Sequence, residues 1–125
     1  MTTSSKKDIA AEFLTMCASG EVREAYRRYV RENFKHHNPY YPSDRRSLME
    51  AMEKSSAEDP NKSFQIRKVI ESADTVAVFS RLQRSKVDLG YAVVHILKFD
   101  GEKIVEMWDV SQEIPKESPN ELGMF

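Results

Sequence analysis

From Tyr91 to Gln112 the sequence reads Tyr-Ala-Val-Val-His-Ile-Leu-Lys-Phe-Asp-Gly-Glu-Lys-Ile-Val-Glu-Met-Trp-Asp-Val-Ser-Gln. Its two halves are rich in Val, Ile, Phe and Trp, the residue types that are enriched in strands. They flank Asp100-Gly101, a pair that is typical of tight hairpin turns. The stretch therefore predicts a β-hairpin.

Two ionisable side chains lie within the apolar runs of this hairpin. His95 titrates near neutral pH and Asp109 is a carboxylate, and neither belongs in a buried strand unless something satisfies or uses it. Side chains alternate across a strand, so a change of one residue in register would move Asp109 to the other side of the sheet. We expect both side chains to point into a common cavity.

Length and composition bound the class of protein. The 125 residues fit a single domain, residues 1–125. No segment approaches the roughly 20 apolar residues of a membrane span, and the polar start lacks the apolar centre of a signal peptide. Nineteen basic and twenty acidic residues leave a net charge of −1, which gives no general attraction to nucleic acid. With Cys17 as its only cysteine, the chain suits a reducing compartment, and we expect a soluble, cytoplasmic protein.

The N-terminal half has helical periodicity. Apolar spacing predicts amphipathic helices over residues 5–18, about 21–33 and 45–57. Period-two patterns then predict strands at residues 64–69 and 75–83 before the hairpin. Helices followed by antiparallel strands predict an α+β domain with the helices on one face of the sheet.

The connection over residues 34–42 contains Pro39 and Pro42, which predict a stiff and irregular segment. It concentrates aromatic, amide and imidazole groups, among them His37, Asn38 and Tyr41. Such a segment can form one wall of a pocket at low entropic cost. The sequence leaves equally open a packed loop whose polar side chains satisfy backbone groups.

Several short motifs share their order and spacing with one known family. They are His37-Asn-Pro39, Arg45-Arg-Ser-Leu48, Ala73-Asp-Thr-Val-Ala-Val78, Ala92-Val-Val94, Lys103-Ile-Val-Glu106, Trp108-Asp-Val110 and Gly123-Met-Phe125. Over nearly its whole length the chain resembles the SnoaL-like polyketide cyclase family of the nuclear transport factor 2-like superfamily. The resemblance implies a cone-shaped, curved antiparallel sheet packed against three N-terminal helices, with a central pocket. It also implies a homodimer that pairs through the outer sheet face.

The same resemblance implies a chemistry. In polyketide cyclases of this type an aspartate acts as general base on an activated methylene and starts an aldol closure, without metal or organic cofactor. The resemblance places that role on Asp109, and it places His37, Asn38, Trp108 and Gln112 along the pocket wall. We therefore expect a pocket for a hydrophobic, carbonyl-bearing small molecule and no cofactor.

The chain departs from the family pattern within the expected pocket. It has His95 where relatives often carry an aspartate, and Phe79 and Arg81 near positions where relatives carry histidines. These departures imply a more cationic pocket and an anionic or enolisable ligand. His95 or Arg81 could donate a hydrogen bond to the oxyanion that develops when Asp109 takes a proton.

Simpler roles stay open for each residue. Asp109 could be a hydrogen-bonded carboxylate without a catalytic task, His95 a satisfied wall residue and Arg81 an ion-pair partner. A metal site would require His37, His95 and Asp109 to converge; the adjacent His36 and His37 point to opposite sides of an extended chain and cannot easily share an ion. We predict no metal site.

Other functions stay open as well. The domain could be a non-catalytic ligand-binding or dimeric module, so the sequence does not decide whether the protein is an enzyme. A hydratase or epoxide-opening enzyme would need a second carboxylate near Asp109, and Glu106 has the wrong parity for that face. Residues 115–125 form a C-terminal tail, and the sequence leaves open whether it is disordered or folds back to cover the cavity or a partner; Met124 and Phe125 at its end indicate docking.

Overall fold

A computed structural model describes residues 5–125 of the chain. Within these residues the elements follow in the order α1 (Lys6–Ala18), α2 (Val22–Tyr29), β1 (Val30–His37), α3 (Arg45–Glu58), β2 (Ser63–Ser72), β3 (Thr75–Gln83), β4 (Tyr91–Asp100) and β5 (Lys103–Glu113). The predicted α+β class with three N-terminal helices is confirmed. None of the described helices is long and apolar enough to cross a membrane.

The five strands form one open sheet in the order β1-β5-β4-β3-β2. Strands β2 to β5 form an antiparallel meander, whereas β1 pairs in parallel with β5. The sheet is therefore mixed, rather than antiparallel throughout. The register shifts in the β1–β5, β2–β3 and β4–β5 pairs, and irregularities of this kind bend and twist a sheet.

Strand β1 corrects the interpretation of residues 21–42. The sequence predicts a helix as far as residue 33 and an irregular connection after it, but α2 ends at Tyr29 and β1 follows directly. Val30 and Phe34 are both buried and four residues apart, a spacing that places two side chains on one side of a strand as well as of a helix. This spacing imitates the helical period. Pairing with β5 and burial of these side chains outweigh the modest helix propensity of the segment.

The helices are held by local signals and by the core. The Ser5 side chain accepts a hydrogen bond from the backbone N–H of Asp8 at the start of α1, and Asp44 caps α3 by accepting one from Ser47. Helix α1 packs against β2 and β3, and α3 packs against β1. In the core between helices and sheet, the Phe13 and Tyr26 rings meet edge to face at 5.4 Å.

The two faces of the sheet have different surroundings. We call inner the face that carries Val78, Leu97 and Met107, which are fully buried. The outer face carries Ile96 and Val110, which are exposed on the same two strands, β4 and β5. Alternation along each strand assigns every other side chain to one of these faces.

The C-terminal residues end against the outer face. The Phe125 ring lies 5.3 Å from the ring of Phe79 on β3. The guanidinium groups of Arg67 and Arg81 lie 5.3 and 5.9 Å from the Phe125 ring centroid. The tail thus docks onto the domain that carries it.

Candidate functional site

Burial decreases along the inner face toward one end of the sheet. Leu97 and Met107 have no exposed surface. Two residues further along their strands, His95 is 9% exposed and the Asp109 side chain 15% exposed, and Ser111 beyond them is exposed. We call this region of the inner face the open end.

His95 and Asp109 meet at the open end. The β4–β5 register sets His95 directly opposite Asp109, so that both side chains lie on the inner face. Their neighbours on the inner face are mainly Val, Leu and Met side chains. The hairpin turn therefore gives the two residues the same parity, which the sequence alone leaves undetermined.

Strand β1 brings two further groups to Asp109. The Nε2 atom of His36 lies 3.0 Å from Oδ2 of Asp109, and the Nδ2 group of Asn38 donates to Oδ1. An ionised carboxylate only accepts hydrogen bonds, so His36 donates through its Nε2–H. His36 is almost completely buried. Both oxygens of Asp109 are thus held, one by His36 on β1 and the other by Asn38 directly after it.

These contacts set the charge of Asp109. Burial raises the pKa of its carboxyl, but the hydrogen bonds from His36 and Asn38 and the nearby imidazole of His95 lower it by more. The net pKa lies below the ordinary value of an aspartate. Asp109 is consequently an ionised carboxylate at neutral pH.

His95 lies in a drier position. Burial lowers the pKa of His95 to about 4, although the Asp109 carboxylate opposes this shift. The Phe64 ring meets the imidazole edge to face at 6.2 Å. Its Nδ1 atom is buried without a hydrogen-bond partner in the described chain. At neutral pH His95 is therefore a neutral imidazole with unused hydrogen-bonding capacity.

Five of the residues expected along the pocket wall lie on the outer face instead. They are His37, Phe79, Arg81, Trp108 and Gln112, as their registers with the neighbouring strands show. Each of them is an odd number of residues away from an inner-face residue of its own strand, and alternation therefore turns its side chain to the outer face. This placement corrects the expectation that they share a wall with Asp109.

The contacts of these residues fit the outer face. The His37 ring stacks on Trp108 at 5.0 Å, and its Nε2 lies 2.6 Å from Oε2 of Glu106. Arg81 donates two hydrogen bonds to the carbonyl of Leu89. Tyr41 is 46% exposed in the loop after β1. Of the predicted site residues, the structure brings together Asp109, His95 and Asn38.

His36 is the site residue that the sequence reasoning missed. The sequence pattern suggested for His36 only the role of a metal ligand beside His37. Had residues 30–37 been interpreted as a strand with Phe34 facing the core, alternation would have placed His36 on the same side. The available signal was the Phe34-Lys-His36 pattern, and the helical spacing of Val30 and Phe34 hid it.

No metal cluster marks the open end in the part of the chain that the structure describes. Among residues 5–125 no group of three or more His, Cys, Asp or Glu side chains could hold a metal ion. A surface groove of about 400 Å³ lies elsewhere, between α2, β1 and α3; its lining residues are Arg23, Glu32, Asp44, Arg45, Arg46, Met49 and Glu50. The central pocket that the resemblance implies stays a prediction.

Comparison with protein families gives one match. The family model described as a SnoaL-like domain matches residues 10–107. No curated protein matches the chain at a significant level.

Solved structures share the fold at low sequence identity. An NTF2-like protein of unknown function from Cytophaga hutchinsonii is 17% identical, with a TM-score of 0.72 over 89% of this chain and 93% of that one. A protein from Acidithiobacillus ferrooxidans, provisionally assigned as a polyketide cyclase, is 18% identical, with a TM-score of 0.71 over 90% and 92%. IdmH from Streptomyces antibioticus, assigned in the same provisional way, is 18% identical, with a TM-score of 0.70 over 87% and 93%. At these identities the similarity shows the fold alone.

Proposed function

Since the chain belongs to the SnoaL-like domain family, we propose that its open end binds a hydrophobic, carbonyl-bearing small molecule and that Asp109 acts as general base. The reaction is a cofactor-free proton transfer of the aldol cyclisation or isomerisation type. One observation carries the proposal: an ionised carboxylate lies directly opposite a neutral imidazole on a sheet face whose buried side chains are mainly apolar.

Asp109 retains the capacity to accept a proton. A carboxylate offers about four lone-pair positions, of which His36 and Asn38 occupy two. These two donors hold the carboxylate in one orientation, which favours a defined approach of the ligand. The remaining lone pairs are available to an acidic C–H group at the open end.

The low pKa of Asp109 restricts the class of substrate. A base works efficiently when its pKa is near that of the group it deprotonates, and Asp109 lies far below the C–H of a simple ketone. A methylene between two carbonyl groups is much more acidic. We therefore assign the substrate class as a doubly activated methylene compound, such as a β-diketone or β-keto ester.

His95 supplies the complementary group. When the methylene loses its proton to Asp109, negative charge develops on the neighbouring carbonyl oxygen, and a fixed N–H donor stabilises that oxyanion. The neutral imidazole of His95 can provide such a donor without carrying a charge of its own. In a cyclisation the enolate carbon then attacks a second carbonyl, whose oxygen takes up the proton. In an isomerisation Asp109 returns the proton to another carbon.

Exchange of substrate protons tests this function without knowledge of the product. Aryl β-diketones and β-keto esters are incubated with the protein in D₂O, and loss of the methylene signal is followed by NMR. We expect the wild type to accelerate this exchange and Asp109→Asn to slow the protein-dependent rate by about 100-fold or more. Binding, measured by thermal shift, should persist in the variant.

Glu106→Gln is the matched control. It removes one carboxylate from the same strand, but Glu106 lies on the outer face beside His37. This variant should exchange at the wild-type rate. Equal exchange in wild type and Asp109→Asn would contradict the assignment of the base, as would binding compounds of which none exchanges faster with protein.

A ligand-binding module without chemistry is the second candidate. The observation that favours it is that both oxygens of Asp109 already accept hydrogen bonds from the protein, which ties β1 to β5. In that case Asp109 is structural and the open end only holds a ligand. Compounds that raise the melting temperature but exchange at the solvent rate would support this candidate.

The partner proposed for either function is a second copy of the chain, paired through the outer face. A row of apolar side chains crosses four neighbouring strands there, in the order Ile70, Ala77, Ile96 and Trp108. Ile70 and Ile96 are exposed. Contiguous exposed apolar surface favours association with another protein surface, and a symmetric pair would cover this row.

Light scattering after size exclusion tests the homodimer. We expect the wild type to have twice the chain mass at micromolar concentration, and Ile96→Lys to shift it toward the monomer. Val87→Lys is the control, because Val87 is almost fully exposed on the loop between β3 and β4. A monomeric wild type would contradict the proposed pairing.

A further inference from the structure

Three buried polar atoms of the inner face lack hydrogen-bond partners within the described residues. One is Nδ1 of His36 on β1, and the other two lie on the adjacent strands β3 and β4. The hydroxyl of Ser80 on β3 and Nδ1 of His95 on β4 form no hydrogen bond within the described chain. Ser80 has no exposed surface at all, and His95 is more than nine-tenths buried. Buried hydroxyl and imidazole groups are ordinarily paired, because an unpaired one loses its hydration without compensation.

The strand register makes these two residues neighbours. Ser80 pairs with Val93 and His95 pairs with Val78, so Ser80 and His95 are diagonal neighbours on one face of two adjacent strands. Diagonal neighbours have Cα atoms roughly 7–8 Å apart. A single water molecule can bridge that separation between a serine and a histidine side chain.

We propose that Ser80 is a positioning residue for His95: its hydroxyl acts on Nδ1 through one bridging water molecule, which donates a hydrogen bond to Nδ1 and thereby keeps the ring proton on Nε2. The inference rests on the proposed function, because the Nε2–H is then the donor to the ligand's oxyanion. It adds a residue on a fourth strand, β3, to the site formed by β1, β4 and β5.

The direction of the hydrogen bond follows from the inventory of donors. A neutral imidazole has one N–H and one bare nitrogen, and the bridging water can donate to the bare one. Because Nδ1 is the nitrogen that is buried without a partner, Nε2 is the one left to meet a ligand. The ionised Asp109 opposite His95 favours an N–H over a lone pair at the exposed position.

This arrangement selects the ligand by its hydrogen-bonding type. The Nε2–H group donates a hydrogen bond to a carbonyl or enolate oxygen, whereas it cannot form one with an N–H group in the same place. The ligand class therefore requires an acceptor oxygen beside the carbon that loses its proton to Asp109.

Nitrogen NMR of the free protein tests the tautomer directly. The chain contains three histidines, His36, His37 and His95, so the signals of a ¹⁵N-histidine-labelled sample can be assigned with single His→Gln variants. At pH 7 we expect wild-type His95 to carry its proton on Nε2. Ser80→Ala should shift the populations toward a mixture of the two tautomers.

A matched pair of variants separates the effect of the Ser80 hydroxyl group from the effect of side-chain volume. Ser80→Thr retains the hydroxyl and Ser80→Val has the same shape without it, so both crowd the inner face equally. We expect Ser80→Thr to keep the wild-type tautomer and Ser80→Val to lose it. In the deuterium-exchange assay Ser80→Val should lower the rate constant by about tenfold or more, with little change in ligand affinity, because a wrong imidazole tautomer impairs catalysis strongly.

The outcomes distinguish this inference from the function on which it rests. A wild-type His95 protonated on Nδ1, or an unchanged tautomer in Ser80→Val, would overturn it. Exchange that depends on Asp109 but is equal in Ser80→Thr and Ser80→Val would also overturn it, while the proposed function stands. If the tautomer depends on Ser80 and no compound exchanges, the positioning role holds and the proposed function fails.

Discussion

On β4, Leu97 points to the inner face and is completely buried, whereas its neighbour Ile96 points outward and is 37% exposed. On β1 the adjacent histidines divide in the same way. His36 is buried and donates to Asp109, whereas His37 is 47% exposed and lies against Glu106. The same residue types thus acquire different surroundings according to the face they occupy.

The difference between the faces is one of water. On the outer face an imidazole and a carboxylate keep contact with solvent, which screens their interaction and leaves little net effect. On the inner face the same kinds of group lie beside Val and Leu side chains, where burial moves the pKa of His95 to about 4. The pKa values of His95 and Asp109 are both shifted, and shifted pKa values are common at functional sites.

The largest predicted effect compares side chains of the two faces. Leu97→Ala should lower the free energy of unfolding by about 2–5 kcal/mol, because it leaves a cavity in the buried inner face. Ile96→Ala removes a similar volume from the outer face and should cost less than about 1 kcal/mol in the monomer. Urea unfolding at a protein concentration below the dimer range gives both values.

Similar losses for the two variants would contradict the division into a covered and an uncovered face. Ile96→Ala could lower the free energy of unfolding as much as Leu97→Ala does, but only at high protein concentration. The additional loss of stability would then come from a weakened dimer interface. The concentration dependence therefore separates a buried position in the chain from a buried position in an assembly.

The sequence predicted the elements with strong patterns. The Asp100-Gly101 hairpin, the α1 and α3 helices and the α+β class all follow from periodicity and turn residues, and the structure confirms them. These signals are local, because each is contained in a window of 10 to 20 residues.

The sequence did not predict features that depend on register. The four-residue spacing of Val30 and Phe34 fits a helix as well as a strand, and the parity of each strand decided which side chains reach Asp109. Parity changes with a single residue, and nothing in a local window fixes it. For this reason the sequence did not identify His36 and placed His37 on the wrong face. It did place His95 and Asn38 beside Asp109.

The next largest effect is the pH dependence of stability that arises from His95. Its pKa is about 4 in the folded chain and 6.5 ordinarily, so the unfolded chain binds more protons between these values. Stability therefore rises with pH through this window, by about 3 kcal/mol in total and about 2 kcal/mol between pH 5 and pH 7. Urea unfolding at several pH values measures it.

His95→Gln should flatten the dependence between pH 5 and pH 7, whereas His37→Gln on the outer face should leave the contribution of His95 in place. Asp109 acts in a different window. Because its folded pKa is lowered, its stabilisation is lost only as the pH falls below the ordinary aspartate range. An unchanged slope in His95→Gln would show that the inner face is wetter than its burial indicates.

The smallest effect concerns the tail on the outer face. Phe125→Ala removes the ring that contacts Phe79 and lies under the guanidinium groups of Arg67 and Arg81. Because the Phe125 ring is 38% exposed, we expect a loss of only about 0.5–1.5 kcal/mol in urea unfolding. Leu122→Ala, at a position that is 80% exposed, should change stability by less than about 0.5 kcal/mol. A loss in Phe125→Ala as large as that in Leu97→Ala would mean that the outer face holds a second core, and the contrast between the faces would then fail.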